Sequence, residues 1–207
     1  MKNKIIIRTP KDFSDNEKDK ITIRCLEIAN KANFPTYYQD MYDHLFGNEF
    51  AELFFIIDES KEIQGFATCD NCIKESYTYL HGIIIHPYIQ GKGWGLKLLQ
   101  EIIKKDKNDF LTVRTHNPRI YEMMGQVAYN GLIFPNITFA EVPEEIWEII
   151  YSHPDMKDAD KDLIVRGAYP DEKIMQTVKD KSIKDVIFKK LEKNDAQVII
   201  VCTNVAN

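Results

Sequence analysis

The chain has 207 residues, of which 44% are hydrophobic and 29% are charged, a globular balance that excludes disordered, collagen-like and fibrous proteins. Its 27 Lys and Arg against 32 Asp and Glu give a net charge of −5, and without a concentrated basic face nucleic acid is not expected as a ligand. No apolar run approaches the ~20 residues needed to span a bilayer, and three apolar residues before Arg8 are too few for a signal peptide. We therefore expect a cytoplasmic protein with no membrane partner.

The first half of the sequence predicts one strand, two helices and three further strands. Helices are predicted from apolar residues at helical spacing, and strands from β-rich runs between polar turns. In chain order these are a strand over 4–8, a helix from the capping box Ser14-x-x-Glu17 to the stop at Phe34-Pro35, a helix over 37–46, and strands over 53–57, 63–67 and 77–85. The last strand should end before Pro87, because proline cannot donate to a sheet ladder.

The second half continues the alternation of helices and strands. In chain order we expect a helix from Gly95, a strand over 110–114, a helix over 119–124 after Asn117-Pro118, a helix over 143–153, a strand over 163–168, a helix over 184–193, and a buried strand over 197–203. This order predicts an α/β (α+β) layer fold around one mostly antiparallel sheet.

The cysteines predict neither a metal site nor a redox site. Cys25 and Cys202 fall in apolar patterns and are expected to be buried thiols. Cys69 and Cys72 have CxxC spacing, but a structural zinc site needs four ligands and the chain has no second pair. The Asp-Asn between them lies between two strand-like runs and predicts a turn flanked by free thiols.

Three of the nine glycines, Gly91, Gly93 and Gly95, lie between a strand and an amphipathic helix. Glycine permits positive φ and a close approach of a ligand to the main chain. The first N–H groups of the following helix have no intrahelical partner and favour an anion, so the segment predicts a pyrophosphate site. The Walker and Rossmann patterns are absent, and a tight structural turn would explain one glycine better than three.

Gln90-x-x-Gly93-x-Gly95 after Ile-Ile-Ile-His-Pro87 resembles the acetyl-CoA-binding motif of the GCN5-related N-acetyltransferases (GNATs). Residues 54–67 look like the hairpin of that family, and residues 112–121 look like its following strand and helix start. The resemblance covers about residues 4–125 and leaves 126–207 as a divergent portion that completes the sheet. It implies a single domain over 1–207, with the sheet flanked by helices and splayed between the fourth and fifth strands.

The resemblance also implies where acetyl-CoA (coenzyme A) would bind. Backbone N–H groups of residues 90–95 would hold the pyrophosphate, two strand residues and one helix-start residue would meet the pantetheine arm, and Trp94 would pack beside the cofactor or on the neighbouring helix. The expected cofactor-binding residues are Ile83, Ile85, Gln90, Gly91, Lys92, Gly93, Trp94, Gly95 and Asn117.

The family chemistry implied is direct attack of an amine on the acetyl thioester in a ternary complex. Tyr121, one helical turn after Asn117, is the candidate acid for the departing thiolate. His81, His116 and Glu75 are the candidate bases. Each of these side chains could equally have a structural role.

A cluster on the second predicted helix is the expected acceptor side, although aromatic helix residues are commonly part of a core. Its members are Tyr37, Tyr38, Tyr42 and His44. These residues and the resemblance predict an N-acetyltransferase acting on a primary amine of a small molecule or peptide. Two alternatives stay open, namely a non-catalytic acyl-CoA-binding or regulatory module and an interaction protein whose glycine loop is structural. A homodimer is also left open.

Overall fold

The computed structural model describes residues 3–136, 141–169, 181–192 and 194–203. The chain divides into two compact units. The first unit comprises residues 1–71 and 79–106, and the second comprises residues 72–78 and 107–207. The single domain expected over 1–207 stays a prediction.

The first unit contains four strands and three helices. The strands are β1 (Lys4–Arg8), β2 (Glu52–Ile57), β3 (Ile63–Cys72) and β4 (Tyr77–Ile85), and the helices are α1 (Asp15–Lys31), α2 (Tyr38–Phe46) and α3 (Trp94–Asp106). The strands are ordered β1-β2-β3-β4, and the β1–β2 and β2–β3 pairs are antiparallel. The end of β3 at Cys72 and the first two residues of β4 belong to the second unit.

The core of the first unit is built on β2, which is apolar at every position after Glu52. Because side chains alternate along a strand, Leu53, Phe55 and Ile57 share one face, and they pack in a single cluster with residues of α1 and α2. Phe54 and Ile56 are buried on the other face. Burial on both faces explains the continuous apolar run, and each such side chain contributes roughly 1.5–3 kcal/mol.

Helix α1 begins where the capping box predicts. The carboxylate of Glu17 accepts hydrogen bonds from the N–H of Ser14 at 2.9 Å and from its hydroxyl at 2.6 Å. These bonds fix the first turn. The apolar stripe of α1 then places Cys25, Ile28 and Ala29 fully in the core, so the burial predicted for Cys25 is confirmed.

The second unit is organised around its last strand. Its elements are β5 (Phe110–Thr115), α4 (Pro118–Val127), β6 (Ile133–Phe134), α5 (Glu144–Ser152), β7 (Ile164–Val165), a π-helical turn at Ile183–Ile187, and β8 (Ala196–Cys202). Strand β8 pairs antiparallel with β5, β6 and β7. The predicted buried strand near the C-terminus is therefore confirmed, although Cys202 at its end is only half-buried.

Two predictions for the last third were wrong in extent. The strand expected over 163–168 has only two residues, because Leu163 and Gly167 both have a φ of +60° and Arg166 pairs with Asp160 and Asp195 at 2.9 and 2.5 Å. Helical structure in the segment expected to be helical over 184–193 ends at Ile187, and Lys193 lies outside the described residues.

The turn predicted at Cys69-Asp70-Asn71-Cys72 was also wrong, because β3 continues through Cys72. Residues three apart on a strand point to opposite faces, so the two thiols cannot face a common ligand. Both are free cysteines, as expected, and Cys69 is buried.

The described strand pairs within each unit are antiparallel, which agrees with the predicted mixed α/β fold. The splay between the fourth and fifth strands stays a prediction. None of the helices in the described part of the chain is long and apolar enough to cross a membrane.

Candidate functional site

The glycine loop lies in the first unit, between β4 and α3. Its entry is fixed by two hydrogen bonds: the N–H of His86 donates to the carbonyl of Gln64 on β3 at 2.9 Å, and the side-chain amide of Gln90 donates to the carbonyl of Ile85 at 2.7 Å. A short 3-10 turn at Pro87–Ile89 connects them. The loop therefore starts from an anchored strand end.

Glycine is required at two positions of this loop. Gly91 has a φ of +72° and Gly93 a φ of +78°, and a Cβ atom at either position would meet nothing within 4 Å. The requirement is therefore conformational, because positive φ disfavours L side chains. The open space leaves the main chain of the loop accessible to a ligand.

The loop presents a row of main-chain donors. The N–H of Gln90 donates to the carbonyl of Pro87 at 3.2 Å, and the first helical bond of α3 runs from Lys97 N–H to Gly93 at 3.1 Å. Among the described residues, the N–H groups from Gly91 through Gly95 make no backbone hydrogen bond. At the positive end of a 13-residue helix, this row is suited to an anion. The available donors thus start at Gly91, one residue later than expected.

Two lysines stand beside these donors. The ammonium group of Lys92 donates to the carbonyl of Tyr88 at 2.9 Å, and the ammonium group of Lys97 lies 4.3 Å from the ring centre of Trp94. The sequence analysis did not single out Lys97, although its spacing of three residues after Trp94 on a helix would have signalled the contact.

Ile83 and Ile85 occupy the end of β4. Because the N–H of His86 points to β3, the alternation of an antiparallel strand directs the main-chain groups of Ile85 and Ile83 away from β3. This is the orientation that a ligand lying alongside β4 requires. The carbonyl of Ile85 already accepts from Gln90.

A second polar cluster in the first unit surrounds His81 on β4. Its Nε2 lies 2.9 Å from Oδ2 of Asp70 on β3, and its ring meets the rings of Tyr79 and His44 edge-on, with centroid distances of 4.9 and 5.9 Å. Asp70 also accepts a hydrogen bond at Oδ1 from the side-chain amide of Asn48, at 2.8 Å.

Sequence reasoning found His81 and His44 but missed Asp70 and Asn48. Asn48 lies two residues after the predicted helix over 37–46 and had no predicted role in the site, and Asp70 was assigned only to a turn. Burial of His44, followed by the positive charge that His81 can carry, lowers the pKa of His44 to about 4. His44 therefore stays neutral at physiological pH.

The other sequence-predicted residues lie in the second unit. Glu75 is exposed on a 3-10 turn before β4 rather than on the strand itself. His116 follows β5, and its ring packs edge-on against Tyr169 with a centroid distance of 5.1 Å. Asn117 caps α4 by accepting the N–H of Arg119 at Oδ1, at 3.0 Å, which leaves its amide NH₂ as the group that could donate to a ligand.

Tyr121 is 5% exposed. Its hydroxyl donates to the carbonyl of Pro135 at 2.8 Å, and burial raises the pKa of Tyr121 to about 12. The hydroxyl therefore already has a hydrogen-bond acceptor within the second unit.

The model of the acetyltransferase (GNAT) family matches residues 22–126. Among solved structures, the chain resembles the ribosomal-protein-S18-alanine N-acetyltransferase from Escherichia coli, with a TM-score of 0.54 and 15% identity over 99% of this chain and 97% of that one. It also resembles Tetrahymena GCN5, with a TM-score of 0.51 and 13% identity over 70% of this chain and 86% of that one. The catalytic domain of Tetrahymena GCN5 histone acetyltransferase in complex with coenzyme A gives a TM-score of 0.48 at 15% identity, over 72% of this chain and 86% of that one. No curated protein matches the sequence significantly.

The two structures with TM-scores of 0.54 and 0.51 share the fold at low sequence identity. The family match extends from α1 to α4 and includes the glycine loop, and it spans just over half of the 207 residues. The chain belongs to the GNAT acetyltransferase family.

Proposed function

We propose that the protein transfers an acetyl group from acetyl-CoA to a primary amine of a small molecule or peptide. The observation that carries the proposal is the row of N–H groups from Gly91 through Gly95 at the start of α3. This row fits a pyrophosphate, and family membership supports acetyl-CoA as the molecule that brings it.

The remaining contacts to acetyl-CoA follow from the same strand and helices. The main-chain groups of Ile83 and Ile85 would meet the pantetheine arm, Lys92 and Trp94 would flank the phosphates, and the amide of Asn117 would donate to the arm. The structure supports these assignments by the direction of the β4 backbone and by the cap at Asn117.

Acetyl-CoA supplies a thioester whose carbonyl carbon forms a C–N bond with the amine while the C–S bond breaks and CoA leaves as a thiolate. The protein must first remove one proton from an ammonium group, whose ordinary pKa is about 10. We assign this step to His81, because a neutral imidazole paired with a carboxylate has one nitrogen available as a proton acceptor. His116, packed against Tyr169, and Glu75, exposed on a 3-10 turn, are the alternative candidates for this step.

The sequence makes Tyr121 the candidate proton donor to the thiolate because of its position on α4. Its bond to the carbonyl of Pro135 and its raised pKa favour a structural role instead. A thiolate whose conjugate thiol resembles cysteine, with a pKa of about 8.5, can also take its proton from water.

Thermal unfolding in the presence of acetyl-CoA tests the proposal. A ligand that binds the native state at 100 times its Kd stabilises it by about 2.7 kcal/mol, so we expect a saturable rise in Tm. Pantetheine, which lacks the pyrophosphate, is the matched control and should produce a much smaller rise. No shift at millimolar acetyl-CoA would contradict both the transferase and the simple CoA-binding module.

A thiol-release assay then separates an enzyme from a binding module. Polyamines, amino acids, aminoglycosides and peptides with free N-termini would each be supplied with acetyl-CoA, and CoA release above the rate of hydrolysis identifies the acceptor. Binding of acetyl-CoA without release in any mixture would favour the module.

A further inference from the structure

We propose that Asp70 is a positioning residue that fixes the tautomer of His81 so that Nδ1 accepts the proton of the amine. This inference rests on the proposed acetyl transfer, because the role of Nδ1 has meaning only if His81 is the base. The arrangement of Asn48, Asp70 and His81 lies entirely within the first unit.

The first step concerns the proton on His81. Oδ2 of Asp70 lies 2.9 Å from Nε2 of His81, and a carboxylate can only accept a hydrogen bond. Nε2 therefore carries the hydrogen in the neutral ring, and Nδ1 carries the lone pair. During the reaction one ammonium proton moves to Nδ1, which gives an imidazolium whose positive charge the Asp70 carboxylate stabilises.

The second step concerns what holds Asp70. The side-chain amide of Asn48 donates to Oδ1 of Asp70 at 2.8 Å, and its carbonyl oxygen accepts the N–H of Phe50 at 3.0 Å. The Phe50 contact sets the orientation of the Asn48 amide, so its NH₂ group faces Asp70. One carboxylate oxygen is thereby bonded to Asn48 and the other to His81.

The third step concerns the neighbours of His81. Among the described residues, the titratable groups shown against its ring are Asp70 on β3, His44 on α2 and Tyr79 on β4. His44 is neutral above pH 4 or so, because burial lowers its pKa to about 4. Asp70 is therefore the carboxyl group of this set, and its Oδ2 is the acceptor that holds the hydrogen of His81 on Nε2.

The Asn48 contact makes Asp70→Asn a sharp test. The NH₂ group of Asn48 would draw the carbonyl oxygen of the new amide toward itself, which turns the new NH₂ toward Nε2 of His81. That NH₂ can only donate, so Nε2 becomes the acceptor and the ring hydrogen moves to Nδ1. The lone pair needed by the amine is then lost.

The experiment measures the His81 tautomer by ¹⁵N NMR of the full chain, and kcat and KM with the acceptor found by thiol release. Wild type should show hydrogen on Nε2. D70N should show hydrogen on Nδ1, a kcat lower by about 10²-fold or more, and an unchanged Kd for acetyl-CoA. Glu27→Gln, which removes an exposed carboxylate on α1, should leave the tautomer and kcat unchanged.

A double variant provides the rescue. In N48D/D70N the new carboxylate at position 48 accepts from the amide at position 70, which turns the amide oxygen back toward His81. We expect hydrogen on Nε2 again, and kcat within about tenfold of wild type, because the tautomer is restored although the adjacent charge is not. A merely structural role of Asp70 does not predict this recovery.

Several results would overturn the proposal. Wild-type protein in which His81 carries its hydrogen on Nδ1 would contradict the proposal. This measurement needs no variant, so it decides the question even if D70N fails to fold. A D70N protein with the inverted tautomer and kcat within threefold of wild type would also contradict the proposal. Failure of the proposed function looks different, because then no amine is acetylated while the tautomers still behave as described.

Discussion

Gly93 is the residue where a single change should remove cofactor binding. Its φ of +78° disfavours any side chain, and the space around it is open toward the loop N–H groups. Gly93→Glu combines backbone strain with a negative charge where a pyrophosphate is proposed to sit. We expect the Kd for acetyl-CoA, measured by isothermal titration calorimetry, to rise by at least about 100-fold.

Gly131→Glu is the matched control for backbone strain. Gly131 has a φ of +71° and an equally open Cβ position, but it is not among the residues proposed to contact acetyl-CoA. It should therefore lose stability without a comparable loss of acetyl-CoA affinity. An unchanged affinity in Gly93→Glu would remove the loop from the binding site.

Tyr121 can be tested by deleting one hydroxyl. Tyr121→Phe removes the bond to the Pro135 carbonyl at 2.8 Å and leaves that partly buried acceptor without this donor, which costs on the order of 1 kcal/mol. We expect a Tm lower by a few degrees and a kcat within about threefold of wild type. A loss of 10²-fold or more in kcat at unchanged Tm would instead establish Tyr121 as the proton donor.

At the scale of elements, α2 is the helix expected on the acceptor side, and it also carries a histidine with a lowered pKa. It carries His44, which faces His81 and is half-buried, while Tyr37 is 78% exposed and Tyr38 donates to Asp19 at 2.6 Å. Within the predicted aromatic cluster, Tyr37 is therefore largely exposed to solvent, whereas the hydroxyl of Tyr38 makes a hydrogen bond at the surface. A mostly exposed tyrosine at the start of a helix remains available to a substrate.

The depressed pKa of His44 predicts a pH dependence of stability. The unfolded state binds a proton below an ordinary pKa of about 6.5, whereas folded His44 stays neutral down to about pH 4. Unfolding therefore takes up a proton in this window, and stability should fall as pH drops from about 6.5 to about 4. The loss should be on the order of 2 kcal/mol, measured by urea unfolding at several pH values.

His44→Gln tests the assignment, because glutamine does not titrate. The slope of unfolding free energy against pH between about 6.5 and 4 should become shallower in the variant. Carboxyl groups elsewhere in the chain also begin to titrate toward pH 4, so part of the slope should remain. An identical slope in both proteins would show that His44 is not the group responsible.

At the scale of the whole molecule, the net charge of −5 bears on the choice of acceptor. An excess of negative charge attracts cations and is screened by salt. If the acceptor is a polyamine, kcat/KM at saturating acetyl-CoA should fall by about threefold to tenfold between 50 and 500 mM salt, whereas a monoamine should show a smaller decrease. Equal salt dependence for both amines would argue against electrostatic steering.

The conformation of the glycine loop was predictable because its determinants are neighbours in the chain. Pro87 ends a strand, the glycines allow positive φ, and the helix start supplies donors, so strand, loop and helix follow from local rules. The capping box at Ser14 and the apolar run of β2 were predictable for the same reason. Each depends on residues only a few positions apart.

Elsewhere tertiary pairing overrode local preference. Asp70-Asn71 has turn propensity, yet β3 continues through it to Cys72, because strand stability depends on cross-strand partners that a propensity does not contain. Arg166 lies in a strand-like run, yet its ion pairs with Asp160 and Asp195 fold the segment into a turn. Asp195 lies 29 positions from Arg166.

The sequence by itself determined the family resemblance, the order of the main elements and the place of the cofactor loop, because caps, glycines and apolar periodicity act over a few residues. Only the tertiary structure decided which acid and amide accompany His81 and what occupies the Tyr121 hydroxyl. Asn48 and Asp70 are 22 positions apart, and Tyr121 and Pro135 are 14 apart. Such contacts form when the chain folds back on itself, so no local pattern contains them.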